Sequence, residues 1–262
     1  MSEPITTAMI LAAGRGTRMR AHADAPPKPL VEIAGQSLLT RMIDRLQAAG
    51  IERIIINLHH KAAFITSHLQ ARTKGPEIIF SDETKLLLDT GGGVKNALPL
   101  LGAAPFVVCN ADVLWQENSN NIAALMANFD AARMDALLLM ADMASSTGYD
   151  GDGDYCLAAD GQLRRRSDEV NAGIFSGVRI VTPQAVAAID QTVFSFNAIF
   201  DAAEARQRLF GRRLDGRWMH VGTPEGRAEA EAIIGQDLYC HPAYGPGCVI
   251  ISDERFCAPQ NI

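Results

Sequence analysis

Met9-Ile10-Leu11-Ala12-Ala13-Gly14-Arg15-Gly16-Thr17-Arg18-Met19 is the stretch that decides the fold. Met9-Ile10-Leu11 reads as a buried strand that breaks at Gly14, and the small-residue, glycine-rich turn behind it exposes successive backbone N–H groups able to cradle phosphate oxygens. Arg15 and Arg18 bring positive charge to this turn, and Lys28 follows in Pro27-Lys28-Pro29-Leu30. Met19 stands where a dinucleotide fingerprint needs its third glycine, and no Gly-Lys-Ser/Thr follows, so a Walker A loop is excluded as well. A tight strand-to-helix turn with solvated basic residues is the competing reading of the loop alone.

Working outward, short β-branched runs alternate with helix-like stretches, the pattern of parallel strands joined by crossover helices. Leu30 to Ile33 reads as a short strand or extended segment. Leu38, Leu39, Met42, Ile43 and Leu46 repeat at helical spacing and predict a helix over 38–49, stopped by Gly50. A strand at 53–57, a helix at 62–71 and a strand at 77–80 follow. Pro105 to Asn110 is a further buried strand with Asn110 and Asp112 at its C-terminal end, where open α/β sheets place ligands. Past residue 115 the pattern loosens: a helix at 122–129, a strand at 135–141, a polar loop at 142–154, a hairpin of 155–157 with 162–164, and a strand at 173–180. A helix over 225–234, stopped by Gly235, closes the unit. One catalytic domain is expected over 1–235 and a Cys/Pro/Gly-containing tail over 236–262.

With 48% apolar and 21% charged residues in 262, the chain can bury a large core and is not disordered. Thirty acidic against 24 basic residues leave a formal charge of −6, so an anionic ligand must be met by a few local cations and nucleic acid is an unexpected partner. No apolar run approaches the length of a membrane span, and the N-terminus lacks a basic region before its short apolar stretch, so a cytoplasmic protein without a signal peptide is expected. Cys109, Cys156, Cys240, Cys248 and Cys257 form no Cys-x-x-Cys pair, which fits a reducing compartment. The tail cysteines match no common zinc spacing.

Leu11 to Met19 and Pro27 to Leu30, taken together, resemble the signature of the sugar-1-phosphate nucleotidyltransferases. Asp89-Thr90-Gly91-Gly92-Gly93, Asn110-Ala111-Asp112, Phe175-Ser176-Gly177 and Val221-Gly222-Thr223-Pro224 follow in that family's order. Within it the chain looks most like the N-acetylmuramate-1-phosphate uridylyltransferases, with mannose-1-phosphate guanylyltransferases as near relatives. The resemblance implies a Rossmann-like three-layer α/β/α nucleotidyltransferase fold with a mixed, mostly parallel central sheet. It implies attack of a sugar-1-phosphate oxygen on the α-phosphorus of a nucleoside triphosphate, with UTP and N-acetylmuramate 1-phosphate as the sharper expectation and GTP with mannose 1-phosphate as the alternative. A nucleotide-sugar sensor without catalysis is the non-enzyme alternative, and the oligomeric state is left open.

The same resemblance distributes the roles. Leu11, Ala12, Ala13, Gly14, Gly16, Thr17 and Arg18 hold the triphosphate, Arg15 lies near the departing pyrophosphate, and Lys28 reaches the α-phosphate or the sugar phosphate. Thr90, Gly91 and Gly92 read the base and ribose through main-chain groups, although three glycines alone suggest a flexible loop. Asn110, Gly153, Asp154, Ser176 and Gly177 border the sugar. Asp112 is the candidate ligand for Mg²⁺, with Mn²⁺ as a substitute, because that ion takes one or two carboxylates plus substrate phosphates; a turn or N-cap aspartate is the plain reading. His220 stands where many relatives carry a second metal-binding aspartate, and a metal contact, a phosphate contact and simple packing all remain open there. Asp150 to Asp154 is no EF-hand, since Tyr155 occupies the glycine position. Arg164-Arg165-Arg166 reads as a solvated face, and Asn57 to His60 either faces the cleft or caps a helix.

Overall fold

The computed structural model describes residues 4–14, 26–167, 172–240, 248–251 and 254–257. Its first elements are β1 (Thr7–Leu11), a 3-10 turn at Lys28–Leu30, the hairpin of β2 (Glu32–Ile33) and β3 (Gln36–Ser37), and α1 (Leu38–Ala48). Next come β4 (Arg53–Leu58), α2 (Ala62–Gln70), β5 (Glu77–Asp82), α3 (Asp89–Leu101), β6 (Phe106–Asn110) and β7 (Val113–Glu117). They are followed by α4 (Asn121–Asn128), β8 (Ala136–Ala141), the hairpin of β9 (Tyr155–Leu157) and β10 (Leu163–Arg165), β11 (Ile174–Val181), α5 (Pro183–Ala187) and α6 (Asn197–Ala205). The remainder is β12 (Leu209–Arg213), β13 (Gly216–His220), α7 (Pro224–Cys240), β14 (Cys248–Ile251) and β15 (Glu254–Cys257).

Seven strands form one sheet in the order β12-β8-β11-β6-β1-β4-β5. β11 is antiparallel to both its neighbours, and every other pairing in that sheet is parallel. Period-two alternation sends successive residues to opposite faces. Ile10, Ile54, Ile56, Val107 and Cys109 therefore pack beneath α1, α2 and α4. Met9, Ile55, Phe106 and Val108 pack beneath α3, α5 and α6. This is the expected three-layer α/β architecture with a mixed, mostly parallel sheet. β6, β1 and β4 are buried on both faces, which is why they read as unbroken apolar runs.

α1 shows how local chemistry sets an element. Ser37 caps it, its Oγ accepting the Thr40 N–H at 3.1 Å, and the five apolar residues at helical spacing are all buried. Burying them contributes about 10 kcal/mol before conformational entropy is subtracted. Gly50, at φ +91°, supplies the left-handed stop.

Gly235 does not stop α7, which continues to Cys240. A helical glycine costs only about 1 kcal/mol relative to alanine, and Ala230 with Ile233 and Ile234 seats this helix on a third apolar cluster containing Val31, Ile33, Leu114, Met219 and Val221. The boundary expected between 235 and 236 thus falls inside a helix. The triple glycine is likewise not a loop: Gly91, Gly92 and Gly93 occupy the first turns of α3 and are buried.

Candidate active site

Two antiparallel strands outside the main sheet assemble the charged centre. β7 leaves β6 just after Asp112, and β13 pairs with it so that His220 lies opposite Val113. Pairing continues one step further, where the Val221 N–H donates to the Asp112 carbonyl. His220 and Asp112, 108 residues apart in sequence, are thereby brought side by side: His220 Nε2 lies 3.8 Å from Asp112 Oδ2. Lys28, on the 3-10 turn fixed by Pro27 and Pro29, places its Nζ 2.6 Å from the same oxygen. Burial alone would push the Asp112 carboxyl up, but His220 and the Lys28 ammonium outweigh it and hold the group well below the usual carboxylate range.

His220 is held on three sides. Its Nδ1 lies 3.2 Å from the Gly148 carbonyl oxygen, its ring stacks on Trp218 at 5.9 Å and 8°, and a Cβ on Gly222 would run into the imidazole. A carbonyl can only accept, so Nδ1 carries a proton, and Nε2 is the ring nitrogen that faces Asp112. Trp218 is fixed in turn, its Nε1 donating to the Ser176 carbonyl at 2.9 Å and Tyr149 meeting its ring edge-on.

Ala12 and Ala13 are buried behind β1, whereas Gly14 is exposed with open space where a Cβ would stand. Arg15, Gly16, Thr17 and Arg18 lie outside the described residues. The loop's entry is tied down from below: the Ala12 N–H donates to Asn57 Oδ1 at 2.7 Å, and Asn57 Nδ2 donates to Glu83 Oε1 at 2.8 Å. Burial raises the Glu83 carboxyl, and its bonds to Asn57 and the Leu88 N–H oppose that rise. Asn57 is therefore a buried support of the chain just after β1.

Several expected ligand groups have their polar atoms committed to the protein. The N–H groups of Gly91 and Gly92 donate to the Phe194 carbonyl, and Thr90 Oγ1 accepts the Phe196 N–H at 2.9 Å. Main-chain reading of a base by the Gly91 and Gly92 N–H groups is thus not offered by this arrangement; a Cβ at either position would strike the 192–194 segment, so close packing explains both glycines. Asp154 accepts from Tyr149 Oη and from the Phe175 N–H, and Gly153, at φ +98°, sits against Ala172. Ser176 is fully buried and serves Trp218 through its carbonyl.

Asn110 and Gly177 do come together. A Cβ on Gly177, at φ +90°, would lie 3.2 Å from Asn110 Cβ and 3.3 Å from its Nδ2. Arg179, 1% exposed, donates from Nη1 to Asn110 Oδ1 at 2.7 Å and to the Gly177 carbonyl at 3.3 Å. Sequence reading passed over Arg179, Glu83, Trp218 and Tyr149. The signal for Arg179 was present: it is the one charged residue in the otherwise apolar Ile174 to Val181. Arg164 and Arg165 are exposed as expected and Arg166 is half-buried, with Arg165 paired to Asp201 and Arg166 to Asp152.

A family model described as MobA-like NTP transferase domain matches residues 8–165, well over half of the chain. The chain belongs to the MobA-like NTP transferase family. This NTP transferase is 40% identical over 241 residues to N-acetylmuramate alpha-1-phosphate uridylyltransferase of Caulobacter vibrioides, a match covering 90% of the chain and 100% of that protein. It is 36% identical to the enzyme of the same name from Neisseria meningitidis serogroup B, covering 87% of the chain and 98% of that protein. A crystal structure of UDP-glucose pyrophosphorylase complexed with UDP-glucose superposes with a TM-score of 0.75 at 15% identity, over 89% of this chain and 99% of that one, which establishes the shared fold. The chain is therefore a nucleotidyltransferase of the sugar-1-phosphate type, as its motifs imply. Among the described residues no helix is long and apolar enough to cross a membrane.

Proposed function

We propose that this NTP transferase joins UTP to N-acetylmuramate 1-phosphate, releasing pyrophosphate and forming the UDP-sugar. The observation that carries the choice of base and sugar is the 40% identity to a uridylyltransferase of that name across its entire length. A phosphate oxygen of the sugar phosphate attacks the α-phosphorus and pyrophosphate departs in line, so no covalent nucleophile is needed. Two anions must be held together, and the chain's task is alignment and charge neutralisation.

Lys28 has the position for that task. Its ammonium stands 2.6 Å from the ionised Asp112 carboxylate and would turn from it to a phosphate oxygen when substrate binds. The exposed Gly14 opens the turn in which Gly16, Thr17 and Arg18 would hold the triphosphate and Arg15 the departing pyrophosphate. Asn110 and Gly177 border the sugar.

The residues also fit a divalent metal. Among the described residues no group of three or more histidine, cysteine, aspartate or glutamate side chains could hold an ion alone. Asp112 and His220 instead bring a carboxylate oxygen and an imidazole nitrogen to 3.8 Å of each other, where both would hold a shared cation once Nε2 gives up any proton, and substrate phosphates would complete the set. When bound, Mg²⁺ or Mn²⁺ would neutralise phosphate charge. The nitrogen donor suits Mg²⁺ less well than a second aspartate would, so Asp112 and the substrate phosphates would carry most of the binding.

Pyrophosphate release measured with five nucleoside triphosphates against N-acetylmuramate, N-acetylglucosamine, glucose and mannose 1-phosphates tests the reading. UTP with N-acetylmuramate 1-phosphate is the expected best pair. A preference for GTP with mannose 1-phosphate overturns the assignment of base and sugar, and silence across the panel with retained nucleotide binding overturns catalysis in favour of a sensor.

A further inference from the structure

Arg179 is an unusual residue to find at the centre of a sheet. It is 1% exposed, and among the described residues its Nε has no hydrogen-bond partner and no carboxylate contacts it. Burial pushes its pKa down to about 9, which leaves the guanidinium charged at neutral pH. The charge is cushioned by aromatic faces, with the guanidinium carbon 4.2 Å from the Phe196 ring centroid and 5.5 Å from that of Phe175. An unpaired buried cation costs several kcal/mol, and an apolar residue would pack between these rings without that cost. What the guanidinium adds is its bond to Asn110 and a second one to the Gly177 carbonyl.

That bond has a directional consequence. A guanidinium only donates, so the Asn110 atom facing it must be the carbonyl oxygen, and the amide has one orientation. Its NH₂ lies on the side of Gly177, where a Cβ would crowd it at 3.3 Å, Asn110 itself is only half-buried, and no partner for the NH₂ is found among the described residues. Polarisation by the charged donor makes that NH₂ a stronger donor in turn.

We propose that Arg179 is a positioning residue for the sugar phosphate: it locks Asn110 so that a hydrogen-bond donor, not an acceptor, faces an oxygen of the incoming sugar phosphate. The inference rests on the function proposed above and extends it to a residue that touches no substrate itself.

Steady-state kinetics with KM resolved for each substrate, together with thermal unfolding, test it in R179M, R179K and N110D. R179M, which keeps contact with both rings, is expected to raise the KM for sugar 1-phosphate about tenfold and to leave the KM for triphosphate within about twofold. R179K restores a donor to Oδ1 and recovers part of the loss. N110D gives Arg179 a carboxylate partner, so its Tm holds or rises while the sugar-phosphate KM climbs at least as far as in R179M, because the outward donor is gone. A merely structural role would lower Tm and leave the two KM values moving together. A sugar-phosphate KM unchanged in N110D, or in R179M, overturns the inference while nucleotidyl transfer stands. Should R179M not fold, R179K and N110D decide. A wild-type protein that turns over no sugar phosphate with any triphosphate overturns the function and the inference together.

Discussion

Replacing Lys28 by methionine keeps the length of the side chain and removes the charge 2.6 Å from Asp112 Oδ2. With an effective dielectric near 20 the attraction at that distance is about 6 kcal/mol. Dehydrating the ammonium and fixing its stem cancel most of this, leaving about 1.5 kcal/mol, the usual net for a charge-assisted bond between partly buried groups. A cation that takes Asp112 must first displace Lys28 and forfeit that amount. Without nucleotide, the Lys28→Met protein should therefore bind Mn²⁺ about tenfold more tightly than wild type, as read by electron paramagnetic resonance titration of free Mn²⁺. Turnover should move the other way and fall by about 100-fold or more, because a cation that neutralises phosphate in the transition state is lost. Asp112→Asn serves as the control that abolishes the Mn²⁺ site. Equal Mn²⁺ affinity in wild type and Lys28→Met, with the control silent, would refute the competition; near-normal turnover would refute the role of Lys28.

Gly93→Ala puts a methyl 2.6 Å from Glu83 Oε1 and 2.9 Å from Asn57 Nδ2, and urea unfolding should show a loss of about 1–3 kcal/mol from overpacking. Gly235→Ala enters open space inside α7, and the same measurement should show a gain of about 0.5–1 kcal/mol; a loss would contradict a helix through that position. The Asp112 carboxyl titrates below its ordinary range, so it contributes stability above its unfolded value of about 3.9, and that contribution disappears as pH falls through the window below it. Acid unfolding monitored by circular dichroism should accordingly be shallower below about pH 4 in Asp112→Asn than in wild type.

Where one periodicity and one burial pattern coincide, the fold is legible in the chain. β1, α1, β4, α2 and β6 are all of this kind, each having strongly apolar faces and a clear stop. β7, β12 and β13 were not readable because their apolar residues are interspersed with Glu117, Arg212, Arg213 and Arg217, and their pairing partners lie far away in sequence. The glycines of α3 misled for a different reason. Their function is to let Phe194 and Glu83 approach closely, and such tertiary fit leaves no local trace distinguishable from flexibility. Lys28, Asp112 and His220 could each be picked out by type and position, but their convergence on a single oxygen depends on the β7–β13 pairing. Asp154 is assigned to the sugar by resemblance alone, and its carboxylate braces Tyr149 and the start of β11.

β11 and β8 fall out of step between Phe175 and Arg179. Phe175 faces Met140 and Arg179 faces Leu138, so β11 spends four residue steps where β8 spends two. The surplus is even, and an even surplus preserves sidedness along a strand whose side chains alternate with period two. Phe175 and Arg179 consequently share a face, and the carbonyls of Ser176 and Gly177 are released to Trp218 and Arg179. A surplus of two thus keeps the same sidedness on either side of the bulge. Deleting one residue would reverse the sidedness of everything before or after it, and deleting two would restore a regular ladder but withdraw both released acceptors. Substitutions within this bulge change its chemistry one residue at a time, whereas a one-residue change of length also re-aims the side chains beside it.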